Sequence, residues 1–215
     1  MDRFEKPSVD LYRALLKSGW NANTVGEDRQ NALTAAVAYR DLQSVQFLLQ
    51  NGSAVTDTAI SYATMHDDFG LFHLPLSVSV INDENQRASN AVIGAARSKN
   101  TDLLRYLLDS GVSPNQYDTN SGLTPLLNAT ENNQLANAAL LLEHGARPNV
   151  GDTYGRRPLW YAANASNTGF IQLLVQHGAN VNATDNYSQT ALMSATSGCS
   201  YWDIEALLKA SADPP

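Results

Sequence analysis

Cysteine is nearly missing from this chain: Cys199 is the single one in 215 residues. One thiol closes no internal disulfide, so stability has to come from burial and hydrogen bonding. A basic block is missing too. Lys and Arg number 14 against 21 Asp and Glu, for a net charge of -7. Without a positive patch the chain is poorly matched to a phosphate backbone. It also lacks the basic amphipathic face that peripheral membrane binding uses. No stretch approaches the roughly 20 apolar residues of a membrane span. The opening MDRFEKPSVD is charged where a secretory signal would be apolar. These absences set the expectation of a cytoplasmic protein that binds neither nucleic acid nor membrane.

Catalytic signatures are missing as well. The sequence has no phosphate loop, no dinucleotide glycine pattern and no Gly-flanked Ser elbow. Cys199, in TSGCSYWD, has no His placed beside it by any motif. His66, Asp67, Asp68 and His73 form the one His/carboxylate cluster. They flank a turn and read as solvated turn residues, so no metal, no cofactor and no enzymatic activity are expected. Asp152 and Asp185 recur at loop starts, where Asp is ordinarily a hydrogen-bonding turn residue.

What is present is a repeat. Leu126 in LTPLLNAT, Leu159 in RRPLWYAA and Leu192 in SQTALMSA stand 33 residues apart. A turn follows each by 19 residues, at Gly145, Gly178 and Ser211. The same step joins Leu33 to Gly52 and Val92 to Gly111. Between these anchors lie VQFLLQNGS, LLRYLLDSG, AALLLEHGA, IQLLVQHGA and IEALLKASA, and LYRALLKSG near the start is a second half alone. Each unit predicts two helices. The first carries small residues that allow close stacking: Ala95, Ala96, Ala129, Ala162, Ala163 and Ala195. The second carries an apolar stripe at helical spacing, such as Phe170, Ile171, Leu173 and Leu174. Pro125 and Pro158 suit a first helical turn, Thr124 an N-cap, and the closing Gly a left-handed C-cap. His144 and His177, just before that Gly, suit helix C-terminal carbonyls.

This pattern resembles the ankyrin repeat, whose period is about 33 residues and whose signature is T-P-L-H-x-A. The junction HGANVNATDNYSQTAL is especially similar. The family's His is replaced here by Thr34, Ile93, Leu127, Trp160 and Met193. The resemblance implies an all-α solenoid of about six stacked helix-turn-helix repeats with short hairpin loops. A half repeat at 1–25 precedes repeats at about 26–56, 57–84, 85–118, 119–151, 152–184 and 185–215, in one domain. The third is irregular: its hairpin loop is short and Pro75 interrupts its second helix.

The resemblance further implies a concave protein-binding face made of hairpin tips and first helices. Its slots fall on Glu27, Asp28, Gln30, Tyr39, Arg87, Arg97, Asn120, Leu123, Glu131, Asn132, Tyr154, Arg156, Asn164, Tyr187 and Gln189, with Tyr161 and Asn128 one step inward. Tyr and Arg anchor many interfaces, so Tyr154, Arg156, Tyr161 and Tyr187 are the expected group. Trp160 should be half-buried between hairpins, and Trp20 and Trp202 should shield the ends. The expected function is an adaptor or scaffold that is monomeric until it meets a folded protein. The alternative is a dedicated inhibitor, such as a bacterial immunity protein neutralising a basic toxin.

Overall fold

The computed structural model describes residues 8–26, 30–65, 86–119 and 121–210. The expectations for Glu27, Asp28, the His66–His73 cluster, the Pro75 break, the Arg87 side chain, Asn120 and Ser211 lie outside these residues. Twelve helices and no strand occur among the described residues, with one isolated bridge between Thr184 and Thr190. The chain divides into two compact units, Met1–Ala91 and Val92–Pro215.

The first unit holds α1 (Val9–Lys17), α2 (Ala32–Ala38), α3 (Leu42–Gln50) and α4 (Asp57–Met65). Asn31 caps α2 by accepting from Thr34 N, and its own amide donates to Ala54 O at 2.7 Å. Asp41 caps α3 through Ser44 N. α2 packs on α3 and α4, and α1 on α3. Leu33, Val37, Val45, Leu48 and Ile60 are fully buried between them. Each such side chain contributes roughly 1.5–3 kcal/mol by leaving water. Trp20 is half-buried and stacks on buried Tyr12 with ring centroids 6.4 Å apart, so it shields α1 as expected.

α5 (Gln86–Ala96) runs across the boundary between units. The second unit continues with α6 (Asp102–Asp109), α7 (Pro125–Glu131), α8 (Leu135–Glu143), α9 (Pro158–Asn164), α10 (Thr168–Gln176), α11 (Ala191–Ser197) and α12 (Tyr201–Lys209). Two layers result. α7, α9 and α11 pack side by side as first helices, and α6, α8, α10 and α12 as second helices. The small residues permit the close first layer: Ala129, Ala162, Ala163 and Ala195 are at most 1% exposed. Pro125 and Pro158 open α7 and α9, and Thr124 accepts from Leu127 N at 3.2 Å.

Gly111, Gly145 and Gly178 end α6, α8 and α10 with φ between +83° and +88°. A Cβ at any of them would meet nothing within 4 Å. Glycine is therefore needed there for its backbone freedom alone. The following amides close the turns, as in Ala146 N to Leu141 O and Ala179 N to Leu174 O, both 2.9 Å. His144 contacts Leu140 O through Nδ1 at 2.9 Å, the C-terminal role expected of it.

One feature goes beyond the sequence reading and another corrects it. The turn between the helices of a repeat uses a left-handed residue that is not glycine: Arg40, Asn133, Ser166 and Cys199 have φ between +53° and +58°. Trp202 does not shield the last helix. It is 68% exposed, with its ring edge-to-face with Tyr201 at 5.3 Å, and no later helix packs against α12 among the described residues.

Candidate partner-binding face

The hairpin loops of the second unit are shaped by carboxylates. Asp152 Oδ1 accepts from Tyr154 N and Arg156 N, both at 2.9 Å. One repeat later, Asp185 Oδ1 accepts from Tyr187 N at 2.8 Å and Gln189 N at 2.9 Å. Each loop therefore folds back over its Asp and lifts a tyrosine at its tip. Tyr154 is 52% exposed and Tyr187 63%.

The two tips are tied together. Asn186 donates through its backbone N to Tyr154 O at 2.9 Å and through Nδ2 to Thr153 O at 3.1 Å. Arg157 bridges the same loops from below: Nη1 donates to Thr184 O at 2.7 Å and Nε to Asn149 O at 3.1 Å. Gly155 sits at φ +75°, and a Cβ there would fall 2.5 Å from Asn186 Oδ1. A side chain at 155 would displace the Asn186 amide that ties the tips.

An asparagine ladder fastens each loop to the next repeat. Asn115 donates to Gly145 O at 3.0 Å and accepts from Arg147 N at 2.8 Å. Asn149 does the same with Gly178 O and Asn180 N, at 2.9 and 2.7 Å. In the first unit Asn23 pairs with Gly52 O and Ala54 N. These amides hold the loops where the family's His is absent.

Arg156 is less available than its sequence position suggests. Its guanidinium lies over the Trp160 ring at 4.4 Å and the Tyr154 ring at 5.2 Å. Its Nε stands 3.8 Å from Asp185 Oδ2, a carboxylate that is only 1% exposed. It is a prop beneath the Tyr154 tip. Trp160 is half-buried between hairpins, as its place in the His slot predicts.

Tyr161 is half-buried, and its hydroxyl donates to Asp152 Oδ2 at 2.7 Å. Burial, then that hydrogen bond, then the charges of Asp152 and Glu131 push its phenol well above the usual value, against a smaller opposing effect of Arg156. A phenol held this way remains a donor at neutral pH. Asn128 is 6% exposed; it donates to Ile93 O at 2.6 Å and accepts from Asn132, which makes it a strut between helices. Glu131, Asn164 and Arg97 are exposed, and Leu123 is half-buried. Tyr39 is 49% exposed in the first unit. The structure thus groups Tyr154, Arg156, Tyr161 and Tyr187 around two tied hairpins. The ladder asparagines, Asn186 and Arg157 carry that grouping and were not singled out from the sequence. Their recurrence at Asn115, Asn149 and Asn182 was the available signal.

Known proteins share this fold. The family model for ankyrin repeats (3 copies) matches residues 60–152 and 148–215. The putative ankyrin repeat protein YahD of Escherichia coli K12 is 28% identical over 168 residues, covering 72% of this chain and 83% of its own length. The putative ankyrin repeat protein FPV031 of fowlpox virus is 35% identical over 154 residues, 65% of this chain and 45% of that protein. Among solved structures, the ankyrin repeat domain of Bcl-3, a member of the IkappaB protein family, superposes with a TM-score of 0.74 at 25% identity. That match covers 93% of this chain and 91% of the other. The fold is that of an ankyrin solenoid, generally a protein–protein interaction module, and the chain belongs to the ankyrin-repeat family.

Proposed function

We propose that the protein is an adaptor or scaffold that captures one folded protein partner through the hairpin tips and first-helix ends of its second unit. The observation that carries this reading is the pair of exposed tyrosines on adjacent, mutually hydrogen-bonded hairpins. Tyrosine supplies a large amphipathic contact and loses little conformational entropy when it docks. Here the loops beneath are already ordered by Asp152, Asp185 and Asn186, which lowers the cost of binding further. Exposed Glu131, Asn164 and Gln189 supply polar contacts around the pair.

The test is affinity capture from the native host with the double variant Tyr154→Ala/Tyr187→Ala. Arg156 is left in place, because its stacked guanidinium supports the loop. The variant should keep its helical circular dichroism and lose the partner at least tenfold. Full retention by the folded variant rejects the face. The net charge of -7 favours a basic partner, which is the chemistry an inhibitor of a nucleic-acid-attacking toxin would meet. Association that slows steeply between low and physiological salt supports that version, and a flat salt response rejects it.

A further inference from the structure

A small cavity lies between the two tied hairpins, lined among others by Arg156, Trp160, Thr184 and Asp185. Its volume, measured for the centre of a water-sized sphere, is about 10 Å³. Two of these lining residues carry buried donors, Arg156 Nε and Trp160 Nε1, that have no acceptor among the described residues. An acceptor stands close by. Asp185 Oδ2 is 3.8 Å from Arg156 Nε, too far for a direct hydrogen bond. The preceding repeat shows what is missing. There the matching oxygen, Asp152 Oδ2, takes the Tyr161 hydroxyl at 2.7 Å. In the last repeat Ser194 stands where Tyr161 would be, and its hydroxyl turns to Asn164 Oδ1.

We propose that this cavity is a binding site for a single structural water, which accepts from Arg156 Nε and Trp160 Nε1 and donates to Asp185 Oδ2. The ligand has to be amphoteric. An anion would satisfy both nitrogens and be repelled by Asp185, and a cation would satisfy only the carboxylate. The volume admits one water-sized molecule, and three polar groups match the usual coordination of a buried water. The water takes the role of the absent tyrosine hydroxyl and links the Arg156 prop to the neighbouring hairpin. The site stands whether or not the tips bind a partner.

Nuclear magnetic resonance on the full chain tests it. The Trp160 indole proton is assigned as the signal lost in Trp160→Phe. It should show a dipolar cross-peak to water, with opposite signs in the laboratory-frame and rotating-frame experiments, the signature of a held molecule. Titration with sodium bromide should leave the signal in place. Absence of the dipolar peak overturns the proposal. A saturable bromide shift of the indole signal also overturns it, by identifying an anion site instead.

Discussion

Tyr161 joins helix to hairpin through one oxygen. Its hydrogen bond to Asp152 is partly buried and charge-assisted. Tyr161→Phe should therefore cost about 1.5 kcal/mol in urea unfolding. The effect should also depend on pH. The folded phenol titrates above the ordinary 10.0, so the unfolded chain releases its proton first. The stabilisation is complete below pH 10 and drains as the pH rises through the folded value. The variant should accordingly show a flatter alkaline loss of stability than the parent, and parallel curves would contradict this account. Asn149 acts similarly across a longer sequence distance. Asn149→Ala removes both of its backbone links, to Gly178 O and Asn180 N. It should lower stability by about 1 kcal/mol and speed amide exchange at Asn180.

Among elements, the inter-helix turns carry strain that the sequence did not advertise. Ser166 and Cys199 hold positive φ without the freedom of glycine. Ser166→Gly and Cys199→Gly should each raise stability by about 1 kcal/mol, read as an upward shift of the urea midpoint. An unchanged or lower midpoint would show that the side chains matter more than the backbone. The helices themselves were legible. Period, Ala runs, Pro125, Pro158 and the closing glycines are local signals, and the first layer, the first helical turns and the C-caps follow from them. Phe170 sits where the second helix of the 152–184 repeat turns inward, 1% exposed. Phe170→Ala should cost about 3–5 kcal/mol, the penalty of a large cavity in a packed layer. The turns were less legible because four different residue types occupy one conformational role.

At the scale of the molecule, the sequence placed the candidate tyrosines but not what holds them. Exposure of Tyr154 and Tyr187 follows from their position in a loop of fixed register. Arg156 shows the opposite case. Its position put it on the surface, yet Trp160, a neighbour in space created by the altered His slot, draws the guanidinium inward. Asn186 to Tyr154 O and Arg157 to Thr184 O join residues about one repeat apart, and no local pattern announces them. The central claim is that these tied tips meet a protein. Site-specific photo-crosslinking in the native host tests it most directly, with the photoreactive residue at Tyr187 or, as a control, at exposed Gln172 on α10. The account predicts one discrete protein adduct from position 187 and none from 172. Adducts from 172 alone, or the same adducts from both positions, would contradict it.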